Sequence, residues 1–157
     1  MLKIKFIVVD RTRASFLIEG ESFYLERLRN YARVEWIEVR PSKVIKGRSE
    51  RDVINEEGQN IAKRLTSQDY PVALDRKGRQ YDSRELASWM EQLSIGIGGW
   101  VCFIIGGPLG LSGDILRRAN QIFSLSRLTL THEMSRLLLT EQLYRAFTIL
   151  KGQKYHK

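Results

Sequence analysis

Apolar residues fall in short β-branched runs that alternate with stretches of helical spacing. Leu2 to Val9 is such a run, and the polar break Asp10-Arg11-Thr12-Arg13 after it predicts an opening strand followed by a loop at its C-terminal end. Phe16, Phe23, Tyr24, Arg27, Leu28 and Tyr31 fall near helical spacing, and Val34, Trp36, Ile37 and Val39 predict a second strand ending before Pro41. Ile54, Ile61 and Leu65 mark a second helix. Pro71-Val72-Ala73-Leu74 predicts a third strand ending at Leu74, because Asp75-Arg76-Lys77-Gly78 reads as a turn. Asp82 then caps a helix, with Glu85 three residues on as in a capping box and Leu86, Trp89, Met90 and Leu93 at i, i+3, i+4, i+7. Trp100 to Ile105 predicts a buried strand, Ser112 to Asn120 a short helix and Ile122 to Leu125 a fifth apolar segment. A long helix follows from Thr131 or His132 to Leu150. Five alternations of strand and helix predict an α/β protein with a mostly parallel sheet.

Composition changes this picture little. The chain has 157 residues, 43% apolar and 28% charged, which fits one globular domain spanning 1–157 rather than a disordered or fibrous chain. From Gln92 to Gly113 there is no charge, a length that meets the ~20-residue membrane requirement. Eight glycines and prolines interrupt that stretch, so a buried strand between glycine turns is the expectation, with no membrane partner. The opening Met1 to Val9 reads as a strand rather than a signal peptide. One cysteine, Cys102, forms no intrachain disulfide. With only two histidines beside it, a Cys/His zinc cage is excluded, so no metal is expected and a reducing, cytoplasmic setting fits.

Charge adds more. The net charge is +8, and from Ile115 onward eight cations face only Glu133 and Glu141, which places +6 of it there. Ser42 to Ser49, with Lys43, Lys46 and Arg48 around Gly47, reads as a mobile basic loop. A polyanion, nucleic acid first and an anionic membrane surface second, is the partner such a balance selects.

In open α/β sheets ligands sit beyond the carboxyl ends of strands, and three such ends stand out: Leu74, the turn Gly106-Gly107-Pro108-Leu109-Gly110, and Leu125 to Leu130. The glycine turn is neither a Walker loop nor a Rossmann fingerprint, and by itself is equally readable as a tight structural turn. Leu125 to Leu130 alternates apolar and polar residues, as an edge strand does. Its place before His132, between two candidate ligand loops, lets its backbone read an adenine-like edge while leucines cover the ring. His132 alone is most simply a helix-cap residue. Arg136 and Arg145 alone are solvated or paired with Glu133 or Glu141, and Tyr155 and His156 alone form a frayed tail. No Ser/His/Asp triad, paired catalytic carboxylates or metal spacing is present.

Taken together, Ile105-Gly106-Gly107-Pro108-Leu109-Gly110-Leu111-Ser112, Leu125 to His132, Glu141-Gln142-Leu143-Tyr144-Arg145-Ala146-Phe147 and the closing Tyr155-His156-Lys157 resemble the bacterial ribosomal RNA large subunit methyltransferase H family along the whole chain. That family is of the SPOUT class and methylates N3 of a pseudouridine in large-subunit ribosomal RNA with S-adenosylmethionine. The resemblance implies a doubly wound sheet with a C-terminal trefoil knot, and a homodimer whose sites are built across the interface. By matching positions it implies cofactor contacts from Leu74, Gly106, Gly107, Leu125, Ser126, Arg127, Leu128, Thr129 and Leu130. It likewise implies an RNA-side catalytic pocket from His132, Arg145, Tyr155 and His156, the tail coming from the other subunit. Leu109 stands where some relatives carry a polar residue, so it is no acid or base.

A uracil-type N3 carries a proton, so His132 or His156 is expected to take it and Arg145 to face the resulting anion or a phosphate. The basic loop and tail lysines would hold RNA phosphates, with specificity drawn from the folded ribosomal surface. Three rivals remain open: a non-catalytic ribosome- or RNA-binding protein, a flavodoxin-like or phosphate-binding α/β protein, and a SPOUT enzyme acting on another RNA.

Overall fold

Strand and helix alternate throughout the computed structural model, which describes residues 1–157. The order is β1 (Leu2–Val9), α1 (Ser15–Leu28), β2 (Ala32–Val39), α2 (Glu50–Ala62), β3 (Tyr70–Arg79), α3 (Ser83–Gly96), β4 (Val101–Ile105), α4 (Gly113–Arg118), β5 (Gln121–Phe123) and α5 (His132–Leu150). The five strands form one sheet in the order β2-β1-β4-β3-β5, and every pairing is parallel. All five carboxyl ends therefore emerge along one edge of the sheet.

The alternation of side chains along each strand divides the core in two. Ile4, Phe6 and Val8 of β1 join Val101, Phe103 and Ile105 of β4 against α1, α3 and α5. Ile7, Val9, Cys102 and Ile104 face the other way, against Ile61 of α2 and Ile115 of α4. With both faces covered, β4 is buried at all five positions, which is why it reads as a continuous apolar run rather than an alternation. Burial pushes the Cys102 thiol up to about 12, so it stays protonated and acts as a small core residue. No helix is long and apolar enough to cross a membrane.

Local signals explain the helix boundaries. Asp82 accepts from the amides of Arg84 and Glu85 while the Glu85 carboxylate accepts from the Asp82 amide at 2.7 Å, the capping box expected from the sequence. Ser49 and Asp52 form a second box at α2. Tyr31 and Leu65 lie beyond the helices their spacing suggested, and α4 is shorter than Ser112 to Asn120.

The largest departure is β3, which continues five residues past Leu74. Both Leu74 and Arg79 register against Phe123, so the four residues between them bulge out of the ladder. The bulge is held because the Ser124 amide donates to the Arg79 carbonyl at 2.9 Å, and because Gly78 lies so close to Ile122 that a Cβ there would meet its carbonyl at 2.6 Å. β5 ends at Phe123, short of Leu125.

Candidate active site

A cavity of about 760 Å³ opens at the carboxyl edge of the sheet, beyond β3, β4 and β5. Its size suits a nucleoside-sized ligand. One wall is the glycine turn. Gly107 and Gly110 pair across it, with the Gly110 amide donating to the Gly107 carbonyl at 3.0 Å, and Gly110 has φ of 86°, a conformation open to glycine. A Cβ on Gly106 would stand 2.7 Å from the backbone of Gly110, so any side chain there forces the turn open. The opposite wall is the segment after β5. The Ser124 hydroxyl lies 3.0 Å from the carbonyls of both Arg76 and Ser126, and the Ser126 hydroxyl accepts from the Leu128 amide at 3.0 Å. Leu128 is the only residue from 125 to 130 whose amide is bonded within the chain, which leaves backbone donors at the cavity for a ligand.

Of the cofactor residues expected from sequence, Leu74, Gly106, Gly107, Leu125, Ser126, Leu128, Thr129 and Leu130 line this cavity. Arg127 does not. His132 lines it too, as the first residue of α5, whose N-terminus is capped by the Thr131 hydroxyl accepting from the Met134 amide. Burial, and then the nearby Arg136 cation, hold the His132 imidazole below its ordinary pKa, so it is neutral at pH 7 with a lone pair available. Sequence reasoning missed Asp75 and Arg76, which line the same cavity from the β3 bulge. Their signal was a charged pair directly after a strand, which reads equally well as a turn.

The other three expected residues sit elsewhere. Arg145 is thirteen residues along α5 from His132, roughly 20 Å at 1.5 Å per residue. Its guanidinium is 2.5 Å from Glu141, 3.4 Å from Nδ1 of His156 and 4.7 Å from the centre of the Tyr155 ring. The Tyr155 hydroxyl donates to Glu141 at 3.0 Å and lies 3.3 Å from that of Tyr24, while its ring meets Tyr144 edge-on at 4.8 Å. Burial and these bonds push the Tyr155 phenol well above its usual range, so it remains a hydroxyl donor, and the Glu141 bond raises Arg145 further. The tail is thus seated on α5 and α1 rather than frayed. Arg136 also departs from expectation, being fully buried rather than solvated or paired on a helix face.

The basic segment Ser42 to Ser49 follows β2, so it emerges at the cavity end of the sheet. Its base is pinned where Arg48 pairs with Glu56 at 2.7 Å and the Ser42 amide donates to Glu57 at 3.1 Å, while Val44 at its tip is 75% exposed. No group of three or more His, Cys, Asp or Glu is placed to hold a metal.

Comparison with known proteins bears on this arrangement. A family model described as "Predicted SPOUT methyltransferase" matches residues 2–156. A protein of Enterococcus faecalis named ribosomal RNA large subunit methyltransferase H is 40% identical over 99% of this chain and 100% of its own length. One of the same name from Desulfitobacterium hafniense is 39% identical over the full length of both. The crystal structure of a probable methyltransferase from Bordetella pertussis superposes with a TM-score of 0.55 at 17% identity, covering 92% of this chain and 96% of that one, a likeness of fold.

Proposed function

Because the chain belongs to the SPOUT methyltransferase family, we propose that it transfers a methyl group from S-adenosylmethionine to N3 of a pseudouridine in large-subunit (23S) ribosomal RNA, on the assembled ribosome. The observation that carries this reading is the cavity at the carboxyl edge, walled by the glycine turn and by a segment with free backbone donors, in a chain whose full length matches relatives named as methyltransferases of large-subunit ribosomal RNA.

The cavity fits the donor. Gly106 and Gly107 let the backbone approach closely, residues 125–130 offer amides and carbonyls to an adenine edge, and Leu74, Leu125 and Leu130 supply apolar cover. The bound cofactor would supply an electrophilic methyl on a sulfonium, for in-line displacement. The chain's task is then to position the base and dispose of its N3 proton. His132 would accept that proton, a reading supported by its place in the cavity wall and by the burial that keeps it neutral. Arg145, Tyr155 and His156 supply a cation and hydrogen-bond donors for the anionic base or its phosphate, but from about 20 Å away along α5 they reach a cavity only in a second copy of the chain. A homodimer is therefore part of the proposal. Phe16 and Phe23 of α1, 66% and 46% exposed on the helix that carries Tyr24, offer an apolar face for that copy.

The chain would act as one methyltransferase domain in the cytoplasm, its C-terminal segment closing a trefoil knot around the cofactor. Lys43, Lys46 and the tail lysines would hold RNA phosphates. The test is titration with S-adenosylmethionine by calorimetry, followed by methylation of ribosomes lacking the modification. Saturable binding and methyl incorporation at one large-subunit pseudouridine support the reading. RNA binding without cofactor binding would instead make this a non-catalytic ribosome-binding protein.

A further inference from the structure

Arg136 is the largest side chain in the molecule with no exposure to solvent. It stands one turn beyond His132 on α5, pointing away from the cavity and into the loop between β1 and α1. One terminal nitrogen donates to the Thr12 hydroxyl at 2.9 Å and the other to the Val9 carbonyl at 2.6 Å, while Nε has no partner. A guanidinium has no acceptor, so the Thr12 hydroxyl must accept from Arg136 and give its own proton to Glu21, whose carboxylate lies 2.7 Å away and is itself buried. Direction along Arg136, Thr12 and Glu21 is thereby fixed. Glu133, also in the first turn of α5, accepts from the amides of Arg13 and Ala14 at the start of α1, where Ala14 offers no side-chain cap of its own. The loop so held contains Asp10 at φ of 68°, a left-handed conformation unfavourable for a residue with a Cβ. Below it the helices press together, a Cβ on Gly20 meeting Leu137 at 2.8 Å.

Burying a guanidinium against a hydroxyl and a carbonyl is a weak way to stabilise a fold, since apolar residues of equal volume serve as well or better. What the arrangement does provide is a defined position for the first turn of α5. We infer that Arg136, acting through Thr12 and Glu21, is a positioning residue for methyl transfer: it clasps the β1–α1 loop to α5 and so sets where the His132 ring stands in the cavity. This rests on the function proposed above, and Arg136 itself touches neither cofactor nor base.

Removing Arg136 outright would leave Glu21 buried without its cation and endanger folding, so the informative variants are at Thr12. Thr12→Val removes the relay hydroxyl and keeps the volume; Thr12→Ser restores it. The expected result is a methyl-transfer rate lower by about ten- to a hundredfold in Thr12→Val, as for a displacement near 1 Å, with S-adenosylmethionine affinity within about threefold and recovery in Thr12→Ser. The His132 ring resonance, followed by NMR across pH, should shift in Thr12→Val and return in Thr12→Ser. That titration is read against the groups around the ring: Arg136 and Glu133 on α5, Asp10 on the loop, and Asp75 and Arg76 across the cavity. A wild-type rate with an unmoved His132 resonance in Thr12→Val overturns the inference. Because the resonance needs no turnover, failure of the wild-type chain to methylate ribosomes would count against the proposed function, while an unmoved resonance would count against the clasp.

Discussion

The two ends of α5 are built differently. At its N-terminus lies a cavity walled by glycine-turn backbone and leucines, where Asp75, Arg76 and Glu133 also stand and burial holds the His132 imidazole below its ordinary pKa. Thirteen residues on lies a cluster of charge and phenol, Arg145 with Glu141, Tyr155, Tyr24 and His156, half-buried where the same helix meets α1 and the C-terminal tail. The first has the shape to enclose a nucleoside; the second gathers cation and hydroxyl donors outside that cavity. One rigid helix holds them apart within a chain. Under the function proposed above, a complete site would draw on two chains, each bringing one end of α5 to the other.

Gly106→Val breaks the cavity alone. The new side chain meets the Gly110 backbone, so S-adenosylmethionine binding should fall at least a hundredfold by calorimetry, with the circular dichroism of the folded chain retained. Arg145→Ala breaks the cluster alone. Methyl transfer should drop by about 10² to 10³, the scale of losing a charge-stabilising donor, while cofactor affinity stays within about threefold. Lys43→Ala or Lys46→Ala touches neither end. Each should weaken RNA binding a few-fold and lower the slope of log affinity against log salt by about 0.7 to 0.9, one phosphate contact.

The smallest effect expected is electrostatic and falls on His132. His132 has a folded pKa below its ordinary 6.5, so its contribution to stability is complete above that value and is lost as pH falls through the folded pKa. Between about pH 7 and pH 5 the urea midpoint should therefore decline more in the wild-type chain than in His132→Gln. An equal decline in both would show that the imidazole is not held neutral.

Much of this architecture is legible in the sequence because its signals are local. The capping box at Asp82 and Glu85, the unbroken run of β4 and the glycine turn each depend on residues within a few positions of one another. The parts that escape are set by distant partners. β3 resumes after its bulge because Ser124, some fifty residues on, bonds to Arg76 and Arg79. α1 begins at Ala14 without a local cap because Glu133 supplies the acceptor from α5. Arg136 reads as a solvated cation on a helix with apolar residues all round, and only the fold reveals Thr12 and Val9 beside it. Tyr24 carries no signal of its own, since its role arises from the tail folding back to it.

Complementation between two dead variants tests the division of labour along α5 most directly. Gly106→Val chains and Arg145→Ala chains, each inactive alone, are dissociated, mixed in equal amounts and reassociated, and methylation of ribosomes is measured. If each site joins the cavity of one chain to the tail of its partner, half of the dimers are mixed and each carries one intact site, restoring about a quarter of the wild-type rate. A mixture that forms mixed dimers yet stays as inactive as its components would contradict this account, placing cavity and tail in separate sites or within one chain.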